Sequence, residues 1–325
     1  MSTVQDSIKR LPQSLFVGAT KLQHGKLTGE EAISATWEVG QILGVRRINE
    51  RCVELQTADS VGNRELAAGW VGRSMEMAVL VSVLTWVIVY WSASDANESL
   101  TSQTLMMMIF GPWIVVLIAI LIYLFSGARN NRGTFIRLHH GTRKLYYVAP
   151  GQKDLLTLDW DRLVPMAGFM PLLASGVYTT RHPLFLVGLD TAVAPARERC
   201  IICGNLGWRD EGESAKQLWD YLQGFMSDGP NGLVPPPSVP ERGTRAQAFG
   251  RQFHEWAAKF REDLPTAKAR WRSPWLVFWK VFWLITMVFP DSLADWLQYN
   301  VPYTRFPKEI DELCDMPSPR VDGDA

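Results

Sequence analysis

The sequence carries no excess of charge of either sign and little cysteine. Lysine and arginine together number 33, aspartate and glutamate also 33, in a chain of 325 residues. Surfaces that hold nucleic acid declare themselves as a basic excess, so nucleic acid is not expected as a partner. Four cysteines (Cys52, Cys200, Cys203 and Cys314) are too few and too scattered for a disulfide framework, and reduced thiols are the expectation. The first 30 residues lack the continuous apolar core and cleavage site of a secretory leader, so insertion is expected to be directed by internal segments. There is no phosphate loop, no HExxH and no GxSxG, and the glycines are not clustered ahead of a helix. Accordingly no catalytic residue, cofactor or metal ligand is assigned, and the chain is not expected to be an enzyme.

Long apolar runs, by contrast, are plentiful. Met77 to Trp91 and Leu105 to Phe125 contain no charged side chain and are separated by the short polar link SASDANESLTSQT. A helix rises about 1.5 Å per residue and must cross about 30 Å of hydrocarbon; the second run spans comfortably, and the first does so if Ser92 and Ala93 join it. Trp86, Tyr90, Trp91 and Trp113 have the character of interfacial anchors, which favours a two-span transmembrane hairpin over 75–126. The link has Asp95 and Glu98 but no cation, whereas Arg129, Arg132 and Arg137, with Arg143 and Lys144, follow the second run. These basic residues set the topology: the link outside and both termini in the cytoplasm. Pro112 removes one helix hydrogen bond inside the second run and invites a kink.

Before the hairpin lies a partly helical cytoplasmic segment, 1–74. Thr28 and Glu31 have capping-box spacing ahead of Ile33 and Trp37, while VRRINERCVELQT fits a helix or a strand and is expected to pack on the domain after the hairpin. From 127 to 228 the period becomes that of strands. TFIRLHH, GTRK and LYYVAP read as a β-hairpin; LLTLDW, GVYTT, LFLVGLD and RCIIC follow at the spacing of an antiparallel meander, with Arg181, His182 and Pro183 as a turn. A helix from Ser214 to about Met226, with Ser214 and Gln217 as its capping box, closes this domain. The fold class is therefore α+β, with a sheet-then-helix order like that of pleckstrin-homology domains. A Pro-rich linker, 229–243, precedes an amphipathic and interfacial region, 244–316, and 317–325 is expected to be a disordered tail.

Phe249, Phe253, Trp256 and Phe260 share one helix face in a segment that also carries Arg245, Arg251, Lys259 and Arg261. Contact with anionic headgroups and packing on the sheet are equally consistent with that pattern. The apolar run between Pro274 and Pro290 has 15 internal residues, roughly 22 Å as a helix and short for a span. Trp275, Trp279 and Trp283 recur every four residues, so an aromatic face in the headgroup layer with Lys280 snorkelling is the favoured reading. A third span, with an outside C-terminus, is the alternative.

The titratable candidates read as structural. Cys200 and Cys203 bracket two isoleucines on a strand and point to opposite faces, as do His139 and His140. His182 sits in a turn and His254 on the amphipathic helix. Asp159 and Asp161 flank Trp160 and would share a strand face.

TFIRLHHGTRKLYYV directly after a transmembrane hairpin, then LDWDRL, the Trp219 helix and the late FPKEIDELC, resemble a family of uncharacterised bacterial inner-membrane proteins, a domain of unknown function. The resemblance covers about Met75 to Cys314. Members are commonly encoded beside type VI secretion components and their effectors. It implies a protein of interbacterial competition, foremost an immunity protein that neutralises a cognate toxin. A membrane-inserting effector and a structural or lipid-sensing module are the alternatives. The implied partners are the lipid bilayer and a protein, either that toxin or a secretion component, with homo-oligomerisation left open.

Overall fold

The computed structural model describes residues 8–23, 44–58, 64–92, 102–174, 177–207, 210–237, 239, 243–267 and 274–318. Thr28 to Leu43, most of the polar link, Lys268 to Arg272 and the tail beyond Ser318 lie outside the described residues. Along the chain, β1 (Thr20–Lys21), β2 (Val45–Ile48) and β3 (Cys52–Gln56) precede two long helices, α1 (Arg64–Ser92) and α2 (Ser102–Phe125). A run of strands follows: β4 (Phe135–His139), β5 (Lys144–Val148), β6 (Leu155–Asp159), β7 (Val164–Ala167), β8 (Met170–Ala174), β9 (Val177–Arg181), β10 (Leu184–Asp190) and β11 (Arg197–Ile202). After them come α3 (Glu213–Asp228), α4 (Arg245–Ala267), α5 (Pro274–Trp283), a π-helical turn (Leu284–Val288), α6 (Phe289–Gln298) and α7 (Lys308–Cys314). The chain divides into a β unit, Met1–Asn63, Gly133–Pro240 and Pro302–Ala325, and a helical unit, Arg64–Arg132 and Glu241–Val301.

In the β unit, β2-β3-β4-β5-β6 form an antiparallel sheet. The ambiguous segment after Gly44 is thus a β-hairpin, and β3 pairs with β4 on the far side of the two long helices in sequence. Its alternation explains both faces. Val53 and Leu55 point with Ile136, Leu138, Leu145 and Leu158 into a core completed by Leu218, Trp219, Leu222 and Phe225 of α3. Trp160 and Trp219 stack there at 4.7 Å; burying an apolar side chain of this kind contributes about 1.5–3 kcal/mol. On the other face, Cys52, Phe135, Tyr146 and Val148 meet Phe306, Ile310, Cys314 and Met316.

Several sequence expectations for this unit are corrected. The strands do not form one meander: β1-β7-β10-β11 make a second antiparallel sheet and β8-β9 a separate ribbon, with Arg181 inside β9 and paired with Met170. Ser214 is not an N-cap. The Asp210 carboxylate accepts the Gly212 and Ser214 amides instead, and the Ser214 hydroxyl turns to Asn205. Finally, residues 302–318 belong to the β unit and not to an interfacial region ending at 316, and Cys52 and Cys314 form a disulfide across 262 residues, Cα–Cα 5.2 Å. That pairing contradicts the expectation of four free thiols, which holds for Cys200 and Cys203.

Among the described residues, the helical unit contains three helices long and apolar enough to cross a membrane, over Ala67–Trp91, Met106–Phe125 and Val277–Gln298. α1 and α2 pack side by side, with the Ser82 hydroxyl donating to the Ile109 carbonyl, and Pro112 lies inside α2 without ending it. The third run is longer than its two prolines suggest. The π-helical turn directly before Pro290 accommodates its missing N–H and carries α5 into α6 without a break. Gly72 on α1 lies against Pro290; a Cβ there would stand 2.8 Å from the Pro290 backbone. Ala68, Val71, Ala119 and Tyr123 bury against Ala294 and Leu297. α4 packs along α6, with Arg251 bonded to Asp295 at 2.8 Å and the Arg245 guanidinium 3.7 Å above the Trp296 ring.

Candidate functional site

The charged centre of the β unit is built by strand register. Glu54 on β3 stands opposite Arg47 on β2 and Arg137 on β4. Its carboxylate, fully buried, accepts from Arg46 Nη1 (2.8 Å), Arg47 Nε and Nη2 (2.8 and 2.7 Å) and Arg137 Nε (3.0 Å). Arg137, also fully buried, donates its Nη1 to Asp311 of α7 at 2.6 Å. Aromatic rings cover the cations: Phe135 lies 4.2 Å beneath Arg46 and Phe306 4.2 Å from Arg137. Burial alone would raise the Glu54 pKa, but the Arg47 bond and the three guanidinium charges outweigh it and hold the group below the ordinary carboxylate value. Burial also lowers the Arg46 pKa, against the pull of Glu54.

Around this centre the segment 303–318 is laced to β2 and β3. The Asn49 side-chain amide donates to the Cys314 carbonyl at 2.8 Å, Arg47 Nη2 to the Pro317 carbonyl at 3.1 Å, and the Ser318 hydroxyl to Asp311 at 2.8 Å. Between the edge strand β2 and this segment opens a cleft of about 410 Å³, lined by Arg46, Arg47, Asn49, Pro235 to Pro237, Met316 and Pro317. The residues of the expected linker therefore form its wall, and the Tyr221 hydroxyl, donating to the Val234 carbonyl at 3.1 Å, fastens the approach to it. Three guanidiniums face two carboxylates in the cluster, and the exposed Asp315 on the cleft wall supplies a third negative charge, so the proline-walled cleft carries no surplus of either sign. Such a surface can hold an extended chain.

No family model, curated protein or solved structure matches this chain. The site is therefore interpreted from its own residues.

The residues singled out in sequence are dispersed. Arg129 is exposed and Arg132 half-buried, in the stretch after α2, but Arg137 is a buried member of the ion cluster, so its charge is spent inside the β unit and not on a membrane flank. Trp279 and Trp283 are exposed on α5, at 49% and 54%, with Lys280 half-buried between them; the Trp275 side chain lies outside the described residues. His139 and His140 diverge: His139 Nδ1 accepts the Thr142 amide and His140 lies edge-on to Phe225. Burial lowers the His139 pKa. His182 bonds the Gly168 carbonyl, and His254 is exposed on α4. Asp159 and Asp161 do not form a pair. Asp161 lies in a 3₁₀ turn bonded to Arg143 at 2.6 Å, while Asp159 neighbours Arg162. Burial pushes the Cys200 thiol up to about 12 and the Cys203 thiol higher still, so neither is a ready thiolate. Among the described residues no cluster of His, Cys, Asp or Glu is arranged to hold a metal ion.

Arg46, Arg47, Glu54 and Asp311 were not singled out. The signal in RRINERCVEL is basic residues at one end and Glu54 at the other of a segment able to fold into a hairpin, which becomes an ion cluster only when β4 and α7 are brought alongside.

Proposed function

We propose that this protein is a membrane-anchored binding protein of interbacterial competition, most simply an immunity protein of a type VI secretion system that captures a cognate toxin. The competition setting comes from the family resemblance. The observation that supports binding is the cleft between β2 and the C-terminal segment, whose prolines and flanking polar groups suit an extended stretch of a protein partner. Two antiparallel sheets followed by the closing helix α3 support a pleckstrin-homology-like arrangement for the β unit. The exposed Arg129 after α2 supports a cytoplasmic position for it, in a bacterial inner membrane crossed twice.

A second reading, a membrane-inserting effector, draws support from the hairpin of α1 and α2, whose long apolar runs a target membrane would receive. Expression of the chain in a bacterium, alone and with the product of the neighbouring gene, separates the two. Harmless expression with rescue from a toxic neighbour supports immunity, and Arg46→Ala with Arg47→Ala should weaken that rescue. Collapse of membrane potential on expression alone would refute immunity and favour the effector.

A further inference from the structure

The β unit is woven from three stretches that bracket the membrane helices. β3 pairs with β4 across α1 and α2, Gly133 bridges Tyr303, Arg137 bonds Asp311, and Cys52 is joined to Cys314. A folded unit lies on one side of a bilayer. Residues before 64, between 133 and 240, and after 302 therefore share a compartment, and the chain crosses an even number of times in each interval between them. α1 and α2 satisfy this for the first interval. For the second, α4 and the continuous α5–α6 helix must cross together or not at all, so α5–α6 as a lone third span is excluded whichever way the protein faces.

We infer that neither crosses, and that α5 is a lipid-binding surface set into the leaflet that faces the β unit. α4 is unfit to span: Lys259, Arg261 and Glu262 lie in its second half, and Lys268, Arg270 and Arg272 occupy the connection to α5. Carrying these across hydrocarbon is costly, whereas cations at an anionic headgroup layer are favoured. α5 has the opposite character. Phe278, Trp279, Phe282 and Trp283 are exposed, as are Val277 and Val281. Its partner is lipid, because α6, which continues it, packs on the two spanning helices. Trp and Phe at the hydrocarbon boundary give a monotopic anchor beside the transmembrane hairpin.

The test uses the full chain carrying Cys200→Ser, whose other three sulfurs are fully buried. Single cysteines are placed by Gln13→Cys, Gln152→Cys, Ser273→Cys, Glu309→Cys and, in the polar link, Ser99→Cys. They are labelled with a membrane-impermeant maleimide in intact and in permeabilised cells. Gln13, Gln152, Ser273 and Glu309 should behave alike and oppositely to Ser99, with at least about a tenfold difference in labelling from one side. Ser273 behaving like Ser99 would mean that the hairpin crosses, and Glu309 behaving like Ser99 would break the shared compartment; either overturns the inference. Depth supplies a second readout. A fluorophore at Val277→Cys, Val281→Cys or Ile285→Cys, in vesicles of phosphatidylethanolamine and phosphatidylglycerol, should be quenched more by shallow than by deep spin-labelled lipid. Deepest quenching at the middle position with shallow ends would indicate a span and overturn it.

Discussion

Substituting Glu54→Gln puts the buried ion cluster to its most direct test. The wild-type carboxylate holds three guanidiniums at 2.7–3.0 Å, and Arg137 has no solvent exposure at all. The amide keeps the volume but removes the charge, so the surplus in the cluster rises from one positive charge to two and Arg137 retains only Asp311. Leaving a buried charge without its partner costs about 3–5 kcal/mol. In a unit of this size each kcal/mol lowers the melting temperature by about 2–4 °C, so a drop of roughly 6–20 °C is expected. Arg143→Gln is the internal control: its pair with Asp161 is exposed on both sides, at 45% and 62%, and its loss costs about 1 kcal/mol or less. Scanning calorimetry of the detergent-solubilised full chain reads both. A shift under about 2 °C for Glu54→Gln would refute the claim that this cluster holds the C-terminal segment on the sheet. The acid limb carries the same signature. Because the folded pKa of Glu54 lies below its unfolded value, its contribution is complete above the unfolded pKa and is lost as pH falls through the folded one. The wild type should lose stability on that descent more steeply than Glu54→Gln, and parallel profiles would count against the assignment.

Two further predictions concern the helical unit and the thiols. Gly72→Ala places a Cβ 2.8 Å from the Pro290 backbone, whereas Gly69→Ala, one turn away, meets nothing within 4 Å. The first should destabilise the helical unit by about 1–3 kcal/mol in detergent unfolding and the second should not, and equal effects would show that α6 does not seat on α1 there. The Cys52–Cys314 disulfide and the basic flank after α2 give opposite indications of compartment, since cytoplasmic thiols are held reduced. Acid-quenched thiol trapping in cells decides between them. Two free thiols place the β unit in the cytoplasm, as the arginines indicate, and an oxidised pair places it on the opposite face.

Much of this protein was legible in sequence because its signals are local. Two uncharged apolar runs had to become long helices, since no other structure satisfies their backbones in lipid. The alternation in FIRLH, KLYYV and LLTLD marked strands, and Leu218, Trp219, Leu222 and Phe225 marked the buried face of α3. Other features depend on distant partners and were not legible. The segment VRRINERCVEL became a hairpin because β4 lay ready to pair with it. Pro290 read as a stop because the compensating π-helical turn has no sequence signature. Arg137 read as a flanking cation because nothing near it in sequence shows Glu54 and Asp311 closing on it from 83 and 174 residues away. By itself, then, the sequence determined which stretches are long and apolar enough to cross a membrane and which make sheet and helix, properties carried by composition and periodicity within a short stretch of chain. Only the tertiary structure decided that the stretches before, between and after the membrane helices form one unit, because pairing across such separations is set by strand register and buried charge.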